Sequence, residues 1–62
     1  MLNILWGGFL MTKDEIKDAI YQLSKSQGWY DRLYNSLTDE FLEYLERQNF
    51  TDVVDMVIFL ES

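Results

Sequence analysis

The sequence predicts an all-α fold, a compact bundle of three to four short helices. Three observations predict it. Apolar residues recur at three-and-four spacing through most of the chain, and no segment shows the period-two alternation of a half-buried strand. Threonines suited to capping stand ahead of two apolar stripes, at Thr12 and Thr38. The chain has no proline, and its short breaks favour antiparallel neighbours.

Residues 1–10, MLNILWGGFL, are an uncharged apolar run. A membrane-spanning helix needs about 20 such residues. A signal peptide needs a basic start and a cleavage site, and neither is present. Met11 then opens MTKDEI, which reads as a protein beginning, so Met1 and Met11 are both candidate starts. The division is an apolar extension, 1–10, and a single helical domain, 11–62. Three roles for the extension stay open. It is a dispensable tail; or Ile4, Leu5, Trp6, Phe9 and Leu10 fold back over a groove between helices; or it lies on a membrane surface, which its lack of basic residues disfavours.

The first helix is expected over residues 13–26. Thr12 and Glu15 have the spacing of a capping box. Ile16, Ala19, Ile20 and Leu23 form one stripe, with Lys13, Lys17, Asp14 and Asp18 toward solvent. Gly28 is the expected stop, because glycine takes positive φ without a Cβ clash. A second helix carries Trp29, Tyr30, Leu33, Tyr34 and Leu37, weakened by Asn35 and Ser36. Thr38 caps a third, with Asp39 and Glu40 near the positive end of its dipole. Phe41, Leu42 and Leu45 face inward there, Tyr44 lies on the flank, and Glu43 is spaced to pair with Arg47. Asn49 and Thr51 mark a break. The stretch DVVDMVIFLES is rich in β-branched residues, as a strand would be. Asp52 and Asp55 would be awkward inside a lone strand, whereas Asp52 suits a first turn after a Thr51 cap. A mostly buried helix is the expectation.

At 62 residues the chain is one domain at most, and folding hides only about 60% of the surface that the unfolded chain exposes. It has neither cysteine nor histidine, so disulfides and the usual zinc ligands are excluded. Cys and Ser–His nucleophilic catalysis are excluded with them. The glycines match no phosphate cradle. A carboxylate pair such as Glu43 and Glu46 needs an enclosed pocket for acid–base work, and a bundle this small has little room for one. No segment has the spacing of a calcium loop; Asp39, Glu40 and Glu43 offer at most a weak surface site. No catalytic residue, metal or cofactor is expected, and the chain is read as a cytoplasmic non-enzyme.

Hydrophobic content of 48% is too high for a disordered chain. Aromatics make up 16%. Most are expected in the core, with two or three on the surface as candidate anchors for a partner. Net charge is −6, and its placement is uneven. Residues 1–37 balance four acids with four bases, whereas residues 38–62 hold seven acids and one base, Arg47. An acidic surface repels phosphate and attracts basic proteins, so direct nucleic-acid binding is not expected.

The stretch TDEFLEYLE, Thr38 to Glu46, concentrates this charge. As a helix it sets Asp39, Glu43 and Glu46 in a negative ridge, with Glu40 and Tyr44 along its edge. Two readings stand. The ridge keeps an apolar domain soluble, or it docks on a basic protein with Tyr44 or Phe50 as anchor. The candidate partner-binding residues are therefore Asp39, Glu40, Glu43, Tyr44, Glu46 and Phe50.

The run LSKSQGWYDRLYNSL, followed by FLEYLERQNFTDVVDMVIFLES, resembles small proteins carried by phages, prophages and conjugative elements of Gram-positive bacteria. The resemblance covers Met11 to Ser62 and rests on Ser26-Gln27-Gly28 with Arg32 following, on Asn49-Phe50, and on the Val53 to Glu61 tail. It assigns no residue a role. It implies a context in which short acidic proteins inhibit host defence or nucleic-acid enzymes, anti-CRISPR proteins among them. The functional expectation is a non-catalytic protein-binding module, a mobile-element inhibitor of a basic host protein. The alternative is a structural or regulatory homo-oligomer with an aromatic interface.

Overall fold

The computed structural model describes residues 10–62, and among these it holds four helices and no strand. They are α1 (Lys13–Ser24), α2 (Gly28–Asn35), α3 (Asp39–Glu46) and α4 (Val53–Leu60). The expected all-α bundle is what forms. The extension lies outside the described residues up to position 9, and with it the fold-back of Ile4, Leu5, Trp6 and Phe9.

Helix α1 starts where its capping box dictates. The Glu15 carboxylate accepts the Thr12 N–H at 2.8 Å, and the Thr12 hydroxyl accepts the Glu15 N–H at 3.3 Å. Two of the donors that a helix start leaves unpaired are thus satisfied. Its apolar stripe is the centre of the molecule. Ile16, Ala19 and Ile20 are buried, Leu23 is half-buried, and each of the other helices packs on α1. Around the stripe the core gathers Met11, Tyr30 from α2, Leu42 and Leu45 from α3, Phe50 from the α3–α4 loop, and Met56 from α4. Fully burying a side chain of this size contributes about 1.5–3 kcal/mol, so a few positions carry much of the stability.

Gly28 does not stop α1. The helix ends at Ser24 with Lys25 still in the right-handed region, and Gly28 is instead the first residue of α2. No described glycine has positive φ; the left-handed residue is Asn49, at φ 61°, just after α3. Asparagine tolerates that conformation better than other side chains with a Cβ, so the reversal into α4 falls to it. The cap of α4 also sits one residue later than expected. Asp52, not Thr51, is the N-cap, and its carboxylate accepts the Asp55 N–H at 2.9 Å while Asp55 accepts the Thr51 N–H at 3.3 Å. An anionic cap adds attraction to the helix dipole.

Helix α4 is not mostly buried. Met56 is fully enclosed and Val57, Phe59 and Leu60 are half-buried. Val54 and Ile58, one turn apart, are 65% and 64% exposed, with Val53 beside them at 41%. A helix apolar on nearly all sides has more apolar surface than one neighbour can cover. The aromatics divide similarly. Tyr30 and Phe50 are buried, Tyr34, Phe41 and Phe59 half-buried, and Tyr21, Trp29 and Tyr44 exposed. Aromatic pairs tie the helices together: Tyr21 with Tyr34 between α1 and α2, and Tyr44 with Phe59 between α3 and α4. Lys25 Nζ caps the first of these, 4.7 Å from the Tyr21 ring centre.

Candidate functional site

Lys13 opens α1 and is the meeting point of the acidic stripe of α3. Asp39, Glu43 and Glu46 stand at i, i+4 and i+7, hence on one face. Lys13 Nζ lies 2.9 Å from Asp39 Oδ1 and 3.4 Å from Glu43 Oε2, and the Lys13 backbone N–H donates to Glu46 Oε2 at 3.0 Å. That N–H is one of the donors that a helix start leaves without a partner, and the Glu46 carboxylate also meets the positive end of the α1 dipole. The Asp39 hydrogen bond, working against partial burial, raises the Lys13 ammonium above its ordinary range.

The expected ridge therefore exists, but it is turned onto the chain's own lysine. Lys13 belongs to this contact and not to the solvent side, and Glu43 binds it in place of Arg47. Among the described residues both ion pairs are those of Lys13. Two carboxylates share one ammonium and a third takes a neutral backbone N–H, so surplus negative charge stays at this edge. Glu40 is exposed on the neighbouring stripe. Tyr44 is 46% exposed, its ring stacked on Phe41 at 5.9 Å. Phe50 is 4% exposed and paired with Phe59 in the core, so it cannot serve as a surface anchor. The six candidate residues thus divide into a three-carboxylate clasp, an exposed acid, an exposed tyrosine and a core phenylalanine.

Local spacing carries no sign of the clasp, whose partners lie 26 and 30 residues away in sequence. The available clue was a carboxylate stripe in want of a cation and a lysine at the first position of another helix. A consequence follows for charge reversal. Glu43→Lys with Glu46→Lys is expected to unseat α3 from α1, because three ammonium groups then crowd one point. Thermal unfolding followed by circular dichroism should show a lower midpoint, with the loss shrinking as salt rises. Glu40→Lys should change stability by less than about 0.5 kcal/mol, as surface substitutions do. Equal effects of the two changes would show that the clasp contributes nothing.

A second feature lies on the other side of the first turns of α1. A groove of about 390 Å³ runs between α1 and the start of α4. Its apolar lining is Met11, Ala19 and Val53, its acidic lining Glu15, Asp18 and Asp52, and it includes no lysine or arginine. Sequence reasoning missed it because it depends on how the Asn49 reversal sets Asp52 beside α1.

No described group of three or more acids is placed to hold a metal ion. No described helix is long and apolar enough to cross a membrane. Fold and surface define a small all-α bundle with an acidic, partly apolar exterior. No protein-family model, curated protein or solved structure matches the chain.

Proposed function

We propose that this protein is a non-catalytic binding module that meets a positively charged protein, and that it inhibits a host nucleic-acid-binding or defence protein on behalf of a mobile element. The observation that carries the reading is the surplus of carboxylates bordering the first turns of α1. Asp39, Glu43 and Glu46 outnumber Lys13 on one side, and on the other Glu15, Asp18 and Asp52 line a groove whose described lining holds no lysine or arginine. Fixed, spaced carboxylates resemble a phosphate backbone in charge, so they suit a surface built to hold one. Exposed Tyr44 and the Val54–Ile58 face offer the apolar contact that charge alone lacks.

The test is capture of partners from a Gram-positive host lysate at about 50 mM and about 300 mM salt, which screens exposed charges beyond about a Debye length. The captured protein is then challenged with its own nucleic acid. The expected result is salt-sensitive retention of a nucleic-acid-binding protein that nucleic acid displaces. Retention that is indifferent to salt, or unaffected by nucleic acid, overturns the reading.

The exposed Val54 and Ile58 specifically favour a second reading, a homo-oligomer that covers this face of α4. Sedimentation separates the two: a dimer dispersed by Ile58→Lys supports self-association, and a monomer at all concentrations removes it.

A further inference from the structure

Among the described residues, a groove between α1 and the start of α4 leaves part of the α1 surface uncovered. Its volume of about 390 Å³ is within the range of small-molecule pockets, about 300–1,000 Å³. Met11 and Ala19 at its base are nearly buried, and Val53 at its edge is 41% exposed. Val54, next in sequence and outside the groove lining, is 65% exposed.

The acids at its edge are set in place by the backbone. Glu15 is held by the Thr12 N–H and Asp52 by the Asp55 N–H. Both donors are uncharged backbone groups. Asp18 is exposed, and neither ion pair among the described residues involves the groove. The groove is thus apolar at its base and negative at its edge.

We propose that this groove seats an apolar side chain of a basic partner protein, flanked on the partner by lysine or arginine. The proposal rests on the binding role above and adds where the partner docks. Long basic side chains lay their aliphatic stems on apolar surface while their heads reach carboxylates, so one segment satisfies both parts of the groove. A second copy of this chain, at a net charge of −6, brings acid toward acid. Charge complementarity therefore selects the basic partner.

The probe is a short synthetic helix-forming peptide with two leucines one turn apart between lysines, titrated into the isotope-labelled full chain and followed by amide and methyl NMR shifts. Shifts are expected at Ala19, Asp52 and Val53. Asp18→Lys and Val53→Lys should each weaken binding about tenfold or more, and Asp31→Lys, exposed on α2 and outside the groove, by less than about twofold. Both groove positions are exposed, and the spectrum itself reports whether each variant folds. Equal weakening by Asp31→Lys means diffuse attraction; the groove assignment then fails while the basic-partner reading stands. Absence of binding by the peptide at low salt overturns both. Groove contacts from residues 1–9, or groove shifts that grow with protein concentration alone, identify another occupant and overturn the assignment.

Discussion

Ile20→Ala is expected to lower stability by about 2–5 kcal/mol, the usual cost of emptying a fully enclosed aliphatic site. Ile20 is 0% exposed and sits on the helix against which the other three pack. A domain of 62 residues has about 3–9 kcal/mol in total, at about 0.05–0.15 kcal/mol per residue. The substitution therefore removes from about a fifth of the stability to all of it. Alanine is the better helix former, which offsets only a few tenths of a kcal/mol. Urea denaturation measures the effect as a fall in midpoint at unchanged slope. The matched control is Ile58→Ala, the same chemistry at 64% exposure, expected to cost less than about 0.5 kcal/mol. If the two isoleucines cost the same, α1 is not the shared core element.

That contrast also marks how far the sequence could be read. The α1 stripe, its capping box and the Thr38 cap follow from rules that act within one turn, and each was legible. The bond from the Phe41 N–H to Thr38 Oγ1, 3.1 Å, is such a local contact. Ile20 and Ile58 look alike as letters, both at helical spacing in apolar segments. What separates them is how much surface a small bundle covers, which depends on all four helices at once. Gly28 misled for a similar reason. Its freedom to take positive φ is real, but Lys25 to Gln27 already complete the reversal in ordinary backbone, and Asn49 carries the left-handed conformation elsewhere.

The candidate site was legible as a pattern and not as a placement. A period of 3.6 puts Asp39, Glu43 and Glu46 on one face whatever they face. That they meet Lys13 and the start of α1 requires the α1–α3 packing. Phe50 shows the converse error. A phenylalanine in a loop reads as available, yet the Met11 N–H donates to its carbonyl at 2.9 Å and its ring lies in the core. The groove had no pattern at all, since its sides come from residues 11–22 and 51–53, far apart in sequence.

Alkaline unfolding should report a single phenol. Tyr30 is 1% exposed, and its hydroxyl donates to Glu61 Oε2 at 2.6 Å, tying α2 to the end of α4. Burial, and next the hydrogen bond to Glu61, push its pKa up from 10.0 to about 12. A phenolate there would lose water and face a carboxylate, so the folded state keeps a proton that the unfolded state releases. Stability falls with pH wherever the folded state binds more protons. The Tyr30 contribution is therefore whole below pH 10 and is lost as pH rises toward about 12. A rise of this size corresponds to roughly 2–3 kcal/mol. Tyr30→Phe removes both the bond and the titration. At neutral pH it should cost about 1.5–3 kcal/mol, the range for a hydrogen bond to a charged group. The gap between the two proteins should then narrow above pH 10 and close near pH 12. Lys13, also raised, holds its ion pairs in both proteins and cancels from the difference. Urea midpoints across this range measure the gap directly. A difference that stays constant with pH would mean that Tyr30 contributes by filling space, and that its hydroxyl does not hold α4 to α2.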